Sequence, residues 1–202
     1  MSIKKDNSLF DSMLINLQQR ASAGDEKAFR EIYINFYKKL FRFALAIVKT
    51  KESAEEITED VFIKIWQQKE SLTSIKNLRV YLYTATKNTS LNYLSKKARE
   101  NIGHPFDHIN IELSGSILTP EQIMITTEMY NKIQQAVEAL PPRCKMIFKL
   151  IREDGLKYKE VSDILNISVN TIDVQMAIAV KKIATALKFE LNHNTARKPN
   201  LN

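Results

Sequence analysis

Amide, apolar and basic side chains lie close together near the end of the chain, in the stretch LNISVNTIDVQMAIAVKKI at residues 165–183. The amides of Asn170 and Gln175 can hydrogen-bond to base edges in the major groove of DNA, where apolar side chains can also contact thymine methyl groups. Lysines at the end of the stretch can contact phosphates. These residue types predict a surface that reads DNA, formed by Ser168, Asn170, Thr171, Asp173, Val174, Gln175, Ile178, Lys181 and Lys182.

A short helix, a tight turn and a longer helix would position these side chains. The sequence YKEVSDIL predicts the first helix, Asn166 suits a left-handed turn position, and Ser168 can cap the second helix. The second helix would pack on the first through Ile172, Met176, Ala179 and Ile183, which recur at helical spacing. This is the layout of a helix-turn-helix module. Val174 and Ile178 would then face outward, although packing on a neighbouring helix explains these two residues equally well.

A second basic stretch lies in the first half of the chain, where residues 76–99 include six basic side chains and no acidic one. Basic residues can follow a phosphate backbone and an aromatic ring can stack on an unpaired base, so the combination suits single-stranded DNA. Helical projection places Leu78, Tyr81, Leu82, Ala85 and Thr89 on the buried face. It places Arg79, Tyr83, Lys87, Ser90 and Lys97 on the outer face. A solvated charged face with an incidental tyrosine is the alternative.

The helix before it carries the opposite charge. The sequence ESAEEITEDVFIKIW contains five acidic residues, and projection turns Ala54, Ile57, Val61 and Ile65 inward. Ile63 and Trp66 then share the outer side with the acids, which is typical of a protein-docking surface because tryptophans often anchor interfaces. Packing of Trp66 on the preceding helix is the alternative.

The composition favours a mostly helical protein. The chain has 202 residues, 44% of them hydrophobic, only four glycines and a formal net charge of +7. Cys144 is the single cysteine, which excludes an internal disulfide framework and fits a reducing compartment. No apolar run approaches the roughly 20 residues of a membrane span, and we therefore expect a cytoplasmic protein.

Helical periodicity divides the chain into two blocks. Asp25 can cap the first helix, a second helix is predicted over about residues 53–68, and Asn77 can cap the third. Between the last two, KESLTSIKN reads as a short polar loop. The predicted divisions are an N-terminal tail over 1–20, a first domain over 21–100, a linker over 101–119, a second domain over 120–190 and a C-terminal tail over 191–202.

Residues that could support catalysis or bind a metal are few. The sequence HPFDH supplies His104, Asp107 and His108, but a proline-containing linker positions them poorly and a zinc site needs more ligands. Cys144 lies on a predicted helix without a nearby histidine, which favours a buried thiol over a nucleophile. We expect no enzyme activity, metal or cofactor.

The order of these segments resembles a known family. GDEKAF, ITEDVFIKIW, YLYTATKNTSLNYLSKKAR, a linker, LPPRCKMIFKL and GLKYKEVSDILNISVNTIDVQM follow one another over about residues 20–190. Together they resemble the extracytoplasmic-function group of bacterial RNA polymerase sigma factors, most of all its Bacteroidetes branch. The resemblance implies an all-α protein in which a sigma region 2-like helical bundle and a sigma region 4-like helix-turn-helix domain are joined by a flexible linker.

The resemblance also implies partners and roles. The protein would bind core RNA polymerase through Glu56, Glu59, Asp60, Phe62, Ile63 and Trp66. It would capture the opened minus-ten strand through Lys76, Asn77, Arg79, Tyr83, Lys87, Asn88, Lys96, Lys97 and Arg99. The stretch at 165–183 would read the minus-thirty-five duplex. An anti-sigma factor is typical of the group and is a further implied partner.

Three positions depart from the family pattern. Asp173 and Ile178 stand where members often have basic residues, and Tyr81 stands where a tryptophan is common. The main alternative function is a two-domain transcription regulator whose first block senses a ligand or dimerises. That alternative leaves the basic stripe and Trp66 unexplained.

Overall fold

The structure is a computed structural model that describes residues 3–100 and 126–195, and the chain divides into two compact units, Met1–Asn110 and Ile111–Asn202. Within those two described ranges, every regular element is helical. This confirms the all-α, two-domain prediction. The predicted linker at 101–119 lies outside the described residues, as do the candidate metal ligands at 104–108.

The first unit is a bundle of four α-helices with a short 3-10 helix. Its elements are α1 (Ile3–Ser22), α2 (Glu26–Val48), α3 (Lys51–Gln67), the 3-10 helix η1 (Lys69–Ser74) and α4 (Leu78–Glu100). The predicted caps are present: Asp25 accepts hydrogen bonds from the amides of Lys27 and Ala28, and Asn77 accepts one from the amide of Val80 at 3.1 Å. The segment predicted as a polar loop is mostly η1.

The prediction of an N-terminal tail over residues 1–20 is wrong. Residues 3–22 form α1, whose Leu14, Leu17 and Ala21 are buried. These apolar residues recur at steps of three and four, so one helical face packs on the rest of the bundle and is removed from water.

The second unit contains α5 (Thr126–Glu138), α6 (Pro142–Arg152), α7 (Tyr158–Leu165) and α8 (Val169–Thr195). Gly155, which follows α6, has a φ of +74°, a left-handed backbone conformation that favours glycine. The predicted C-terminal tail at 191–202 begins too early, because α8 continues to Thr195. The predicted start of the second domain, at residue 120, lies outside the described residues.

An acidic side chain joins α5 to α6. Glu138 accepts hydrogen bonds from Lys145 at 3.1 Å and from Lys149 at 2.5 Å, and the Lys145 side chain is buried. Burial acts to raise the pKa of Glu138, but the two lysines outweigh it and hold that pKa below its usual value. The carboxylate therefore stays charged and ties the two helices together.

Candidate nucleic-acid and protein interfaces

The turn between α7 and α8 is fixed by local hydrogen bonds. Asn166 adopts the left-handed conformation with φ +53°, as predicted. The Ser162 hydroxyl donates to the Ile167 carbonyl at 2.6 Å, and the Ser168 hydroxyl accepts from the Thr171 amide at 3.0 Å. The predicted cap is therefore confirmed, and these hydrogen bonds fix the backbone at the start of α8.

One face of α8 packs inward and the other is open to solvent. The predicted core residues Ile172, Met176 and Ala179 are buried, and Ile183 packs against the same cluster. The outer face presents Asn170, Asp173, Val174, Ile178, Lys181 and Lys182, all exposed.

The exposure of Val174 and Ile178 shows whether these two side chains face outward or pack on a neighbouring helix. Val174 keeps 49% of its surface exposed and Ile178 keeps 37%, so within the described second unit neither is covered by a neighbouring helix. Gln175 lies half-buried at the edge of this face. The outer face of α8 thus combines amide, apolar and basic groups that can reach a DNA groove.

The face of α4 that is buried differs from the predicted one. Arg79 and Tyr83 were expected on the outer face, and both are buried. Arg79 pairs with Asp11 of α1 at 2.8 Å, and the Tyr83 ring packs on Phe43 of α2 with centroids 5.3 Å apart. Direct contact of these two residues with a DNA strand is therefore contradicted.

The buried face of α4 is turned relative to the predicted face. The buried face of α4 includes Leu78, Arg79, Leu82, Tyr83, Thr86 and Ser90, which is the predicted face rotated by about one residue step of 100°. Ser90 was also expected outside, and Tyr81 was expected inside. Packing by α1 and α2, which projection of α4 alone does not contain, selects this face.

The same rotation brings another aromatic ring to the surface. Tyr81 is 38% exposed, and Asn88 and Arg99, seven and 18 residues after it, are both exposed. These spacings place the three on one side of the helix. Lys76 and Asn77, just before α4, are exposed as well.

The remaining basic residues of α4 are distributed around its sides. Lys87 is half-buried, while Lys96 and Lys97 are exposed. The Lys97 ammonium lies 5.9 Å from the centre of the Tyr93 ring. The second half of α4 therefore keeps its positive charge accessible.

The acidic surface of α3 is confirmed in part. Glu56, Glu59, Asp60 and Ile63 are exposed, and Ile63 shows 53% of its surface. Phe62, predicted to dock on a partner, is buried, with its ring centre 4.8 Å from that of Tyr33. Aromatic residues of α2 cover Phe62, and this assignment is wrong.

Trp66 is partly packed in the bundle and partly accessible, so it combines features of both predicted roles. Its ring packs on Phe29 of α2 with centroids 4.8 Å apart and the ring planes tilted by 47°, so packing on the preceding helix is confirmed. The side chain is half-buried, and the Lys69 ammonium lies 5.1 Å from the ring centre. One side of the indole supports the bundle, while part of it remains accessible beside Ile63.

Cys144 is a structural thiol. Its Sγ donates to the carbonyl of Gln175 in α8 at 3.3 Å, and burial raises the pKa of the thiol although nearby Lys182 acts in the opposite direction. The thiol therefore stays protonated at neutral pH. It helps to hold α6 against α8.

Over residues 3–100 and 126–195, no group of three or more histidine, cysteine and carboxylate side chains could hold a metal ion. In the same part of the chain, no helix has the length and apolar content needed to cross a membrane.

Comparison with protein families identifies both units. The family model for Sigma-70 region 2 matches residues 32–100, and the model for Sigma-70 region 4 matches residues 130–183. The chain belongs to the sigma-70 family. Within this sigma factor, the region 2 match covers α3, α4 and most of α2, whereas α1 lies before it.

Curated relatives agree with this assignment. The sigma factor is 27% identical to the ECF RNA polymerase sigma-E factor of Escherichia coli K12 over 170 residues, which cover 81% of this chain and 87% of the relative. It is 23% identical to the ECF RNA polymerase sigma factor SigW of Bacillus subtilis, with 78% and 88% covered.

Solved structures share the fold. RpoE from Bartonella quintana, crystallised with the anti-sigma factor NepR, has a TM-score of 0.56 and 21% identity, with 80% of this chain and 98% of that chain covered. CnrH, in complex with the cytosolic domain of CnrY, has a TM-score of 0.53 and 13% identity, with 87% and 97% covered.

Proposed function

We propose that the two units of this sigma factor divide the recognition of a promoter between them. A sigma factor binds core RNA polymerase and directs initiation at specific promoters, and the chain carries both region 2 and region 4 of the family. The observation that carries the proposal is the pair of exposed surfaces on separate units, one on α4 and one on α8. A transcription regulator that does not bind polymerase is not favoured, because it needs no region 2.

The outer face of α8 is proposed to read the minus-thirty-five duplex. Asn170 and Gln175 would pair with base edges, while Val174 and Ile178 would contact thymine methyl groups. Contacts from the two lysines at 181 and 182 would fix the register on the phosphates. Ser168 and Thr171 hydrogen-bond to each other at 2.8 Å, so their proposed role is to orient the start of the helix beside the DNA.

The surface around the start of α4 is proposed to capture the opened minus-ten strand. Lys76 and Asn77 lie in the exposed turn before the helix, and Tyr81 offers its ring one turn later. An exposed ring can stack on an unpaired base, which every base permits, so hydrogen-bonding groups beside it must supply the selectivity. Phosphate contacts would come from the exposed basic side chains of α4, namely Lys96, Lys97 and Arg99, with Lys87 and Asn88 earlier on the same helix.

The acidic face of α3 is proposed to bind core RNA polymerase. Ile63 supplies an exposed apolar contact, and Glu56, Glu59 and Asp60 surround it with negative charge. Apolar contacts surrounded by charge are typical of specific interfaces, in which charge complementarity selects the partner. The accessible part of Trp66 extends the same surface.

An anti-sigma factor is a further proposed partner of this chain. RpoE and CnrH are both described in complex with a second protein, which in the case of RpoE is an anti-sigma factor. We also place the chain in the Bacteroidetes branch of the extracytoplasmic-function group and in the cytoplasm, where promoter DNA and polymerase meet.

Run-off transcription with purified core RNA polymerase tests the function. Fragmented genomic DNA from the same organism would be transcribed with the protein, without it, and with a Val174→Asp variant whose α8 face repels phosphate. We expect discrete new transcripts with the wild-type protein and their loss with the variant. If core polymerase neither binds the protein nor initiates with it, while the protein alone binds duplex DNA at specific sites, the regulator function replaces this one.

A further inference from the structure

The segment between η1 and α4 is held on both sides by α1. We propose that α1 is a brace that positions the residues capturing the minus-ten strand, with Gln18 and Asp11 as its positioning residues. The inference rests on the proposed role of Lys76, Asn77 and Tyr81, and adds an element that lies before the region 2 match at residues 32–100.

Gln18 holds the side of the segment that precedes the exposed turn. The side chain is 7% exposed, and its amide donates to the carbonyl of Leu72 and, at 2.7 Å, to the carbonyl of Ile75. Leu72 lies in η1 and Ile75 directly after it, so one amide group donates to two carbonyls across the end of the 3-10 helix, where the Leu72 carbonyl also accepts from the Ile75 amide at 3.0 Å. Because each carbonyl would lose one hydrogen bond without Gln18, the side chain stabilises this path of the backbone leading into Lys76.

Asp11 holds the side that follows the turn. Its carboxylate pairs with Arg79 at 2.8 Å, and the Arg79 side chain is only 5% exposed. The guanidinium also lies 5.2 Å from the centre of the Phe10 ring of α1. A charge this deeply buried needs its partner, so Asp11 fixes the first turn of α4 against α1.

The two positioning residues act together because of their spacing. Asp11 and Gln18 are seven residues apart, two turns of α1, and Leu14 and Ala21 between and after them are buried on the same face. This face therefore contacts the chain on both sides of Lys76 and Asn77. The exposed turn is held in one conformation before DNA arrives, which lowers the entropy lost on binding and sharpens the choice of base.

The test compares a matched with a mismatched strand. Holoenzyme assembled from full-length protein and core polymerase would bind a fluorescent single-stranded oligonucleotide carrying the minus-ten sequence of a promoter found by run-off, and a second one with a single base change. The ratio of the two affinities is independent of how much protein is folded, so loss of stability alone does not change it. The variants are Gln18→Leu, which removes both hydrogen bonds, and Gln18→Glu, which points a carboxylate at two carbonyls.

We expect the ratio to fall about tenfold in both variants, since two hydrogen bonds that fix the turn are lost. Gln19→Glu places the same charge at the adjacent exposed position and should leave the ratio at the wild-type value. If the Gln18 variants do not fold, Asp11→Ala serves in the same measurement with the same expectation. An unchanged ratio in folded variants, even with a lower melting temperature, would overturn the inference and leave α1 a structural helix.

Failure of the proposed function is recognised separately. If wild-type holoenzyme does not discriminate between the two strands, or if Asn77→Ala leaves the ratio unchanged, the assignment of the minus-ten surface is wrong. If the wild-type protein discriminates and depends on Asn77 but not on Gln18 or Asp11, only the brace is wrong.

Discussion

Two tyrosines at the start of α4 lie in opposite environments. Replacing Tyr81 by alanine should weaken strand capture, whereas replacing Tyr83 by alanine should destabilise the fold. Tyr81 is 38% exposed, whereas Tyr83 is 1% exposed and packs on Phe43. Stacking of one base on an aromatic side chain contributes about 1–3 kcal/mol. At about 1.4 kcal/mol for each factor of ten, Tyr81→Ala should weaken capture of the opened strand about 5-fold to 150-fold.

Tyr83→Ala should instead act on folding. Removing a fully buried aromatic side chain costs about 3–5 kcal/mol, because both apolar burial and packing are lost. This is a large part of the roughly 5–15 kcal/mol that stabilises a typical domain. The first unit of Tyr83→Ala should therefore unfold at a much lower denaturant concentration, while Tyr81→Ala should unfold close to the wild type.

Two assays separate the effects. Permanganate reactivity of unpaired thymines in the minus-ten region reports promoter opening by holoenzyme, and circular dichroism in urea reports the free energy of unfolding. Tyr81→Phe keeps the ring and should open promoters like the wild type. The reasoning is refuted if Tyr81→Ala opens promoters normally, or if it loses as much stability as Tyr83→Ala.

Three further predictions concern other surfaces. Lys181→Ala should weaken duplex binding at all sequences and lower the slope of log affinity against log salt by about 0.9, because one phosphate contact is lost. Ile63→Glu should weaken binding to core polymerase about tenfold in a titration, because its side chain is 53% exposed on the proposed interface. Glu138→Gln should destabilise the second unit by about 1–2 kcal/mol at neutral pH, since its bonds to Lys145 and Lys149 weaken. The folded state lowers the pKa of Glu138 from 4.5, so stability in the wild type falls as pH drops below about that value, and the variant should lose this pH dependence.

Matched controls exist for each of these changes. Lys159→Ala removes an exposed lysine from α7 and should leave the salt slope unchanged; an equal effect there would remove Lys181 from the phosphate contacts. Ile15→Glu alters an equally exposed isoleucine of α1, 55% exposed, and should preserve polymerase binding. Asp163→Asn breaks an exposed pair with Lys159 and should cost little stability; a pH profile that persists in Glu138→Gln would show that another group titrates.

The helix-turn-helix was predictable because its signals are local. Asn166 and Ser168 terminate one helix and start the next through their own backbone and side-chain hydrogen bonds. Ile172 and Met176 lie on the buried face of α8, which packs on α5, α6 and α7. The turn and the caps join residues that are close in sequence, so pattern and structure agree there.

The surface of α4 was not predictable in the same way. Arg79 is polar and was expected in solvent, but Asp11, 68 residues earlier, neutralises it in the interior. Tyr83 and Phe62 likewise became core because aromatic residues of α2 cover them. A helical wheel gives the spacing of side chains but not the direction from which the neighbouring helices approach.

The amino-acid sequence by itself determined α2, α3, α4, α7 and α8, the caps at Asp25, Asn77 and Ser168, the division into two units and the chemistry available to each, because these follow from local hydrogen bonds, helical periodicity and charge. Tertiary structure decided which tyrosine is exposed, that α1 is part of the bundle, and that Gln18 and Asp11 hold the turn before α4. Those outcomes depend on contacts between residues far apart in the chain, and only the packed bundle brings them together.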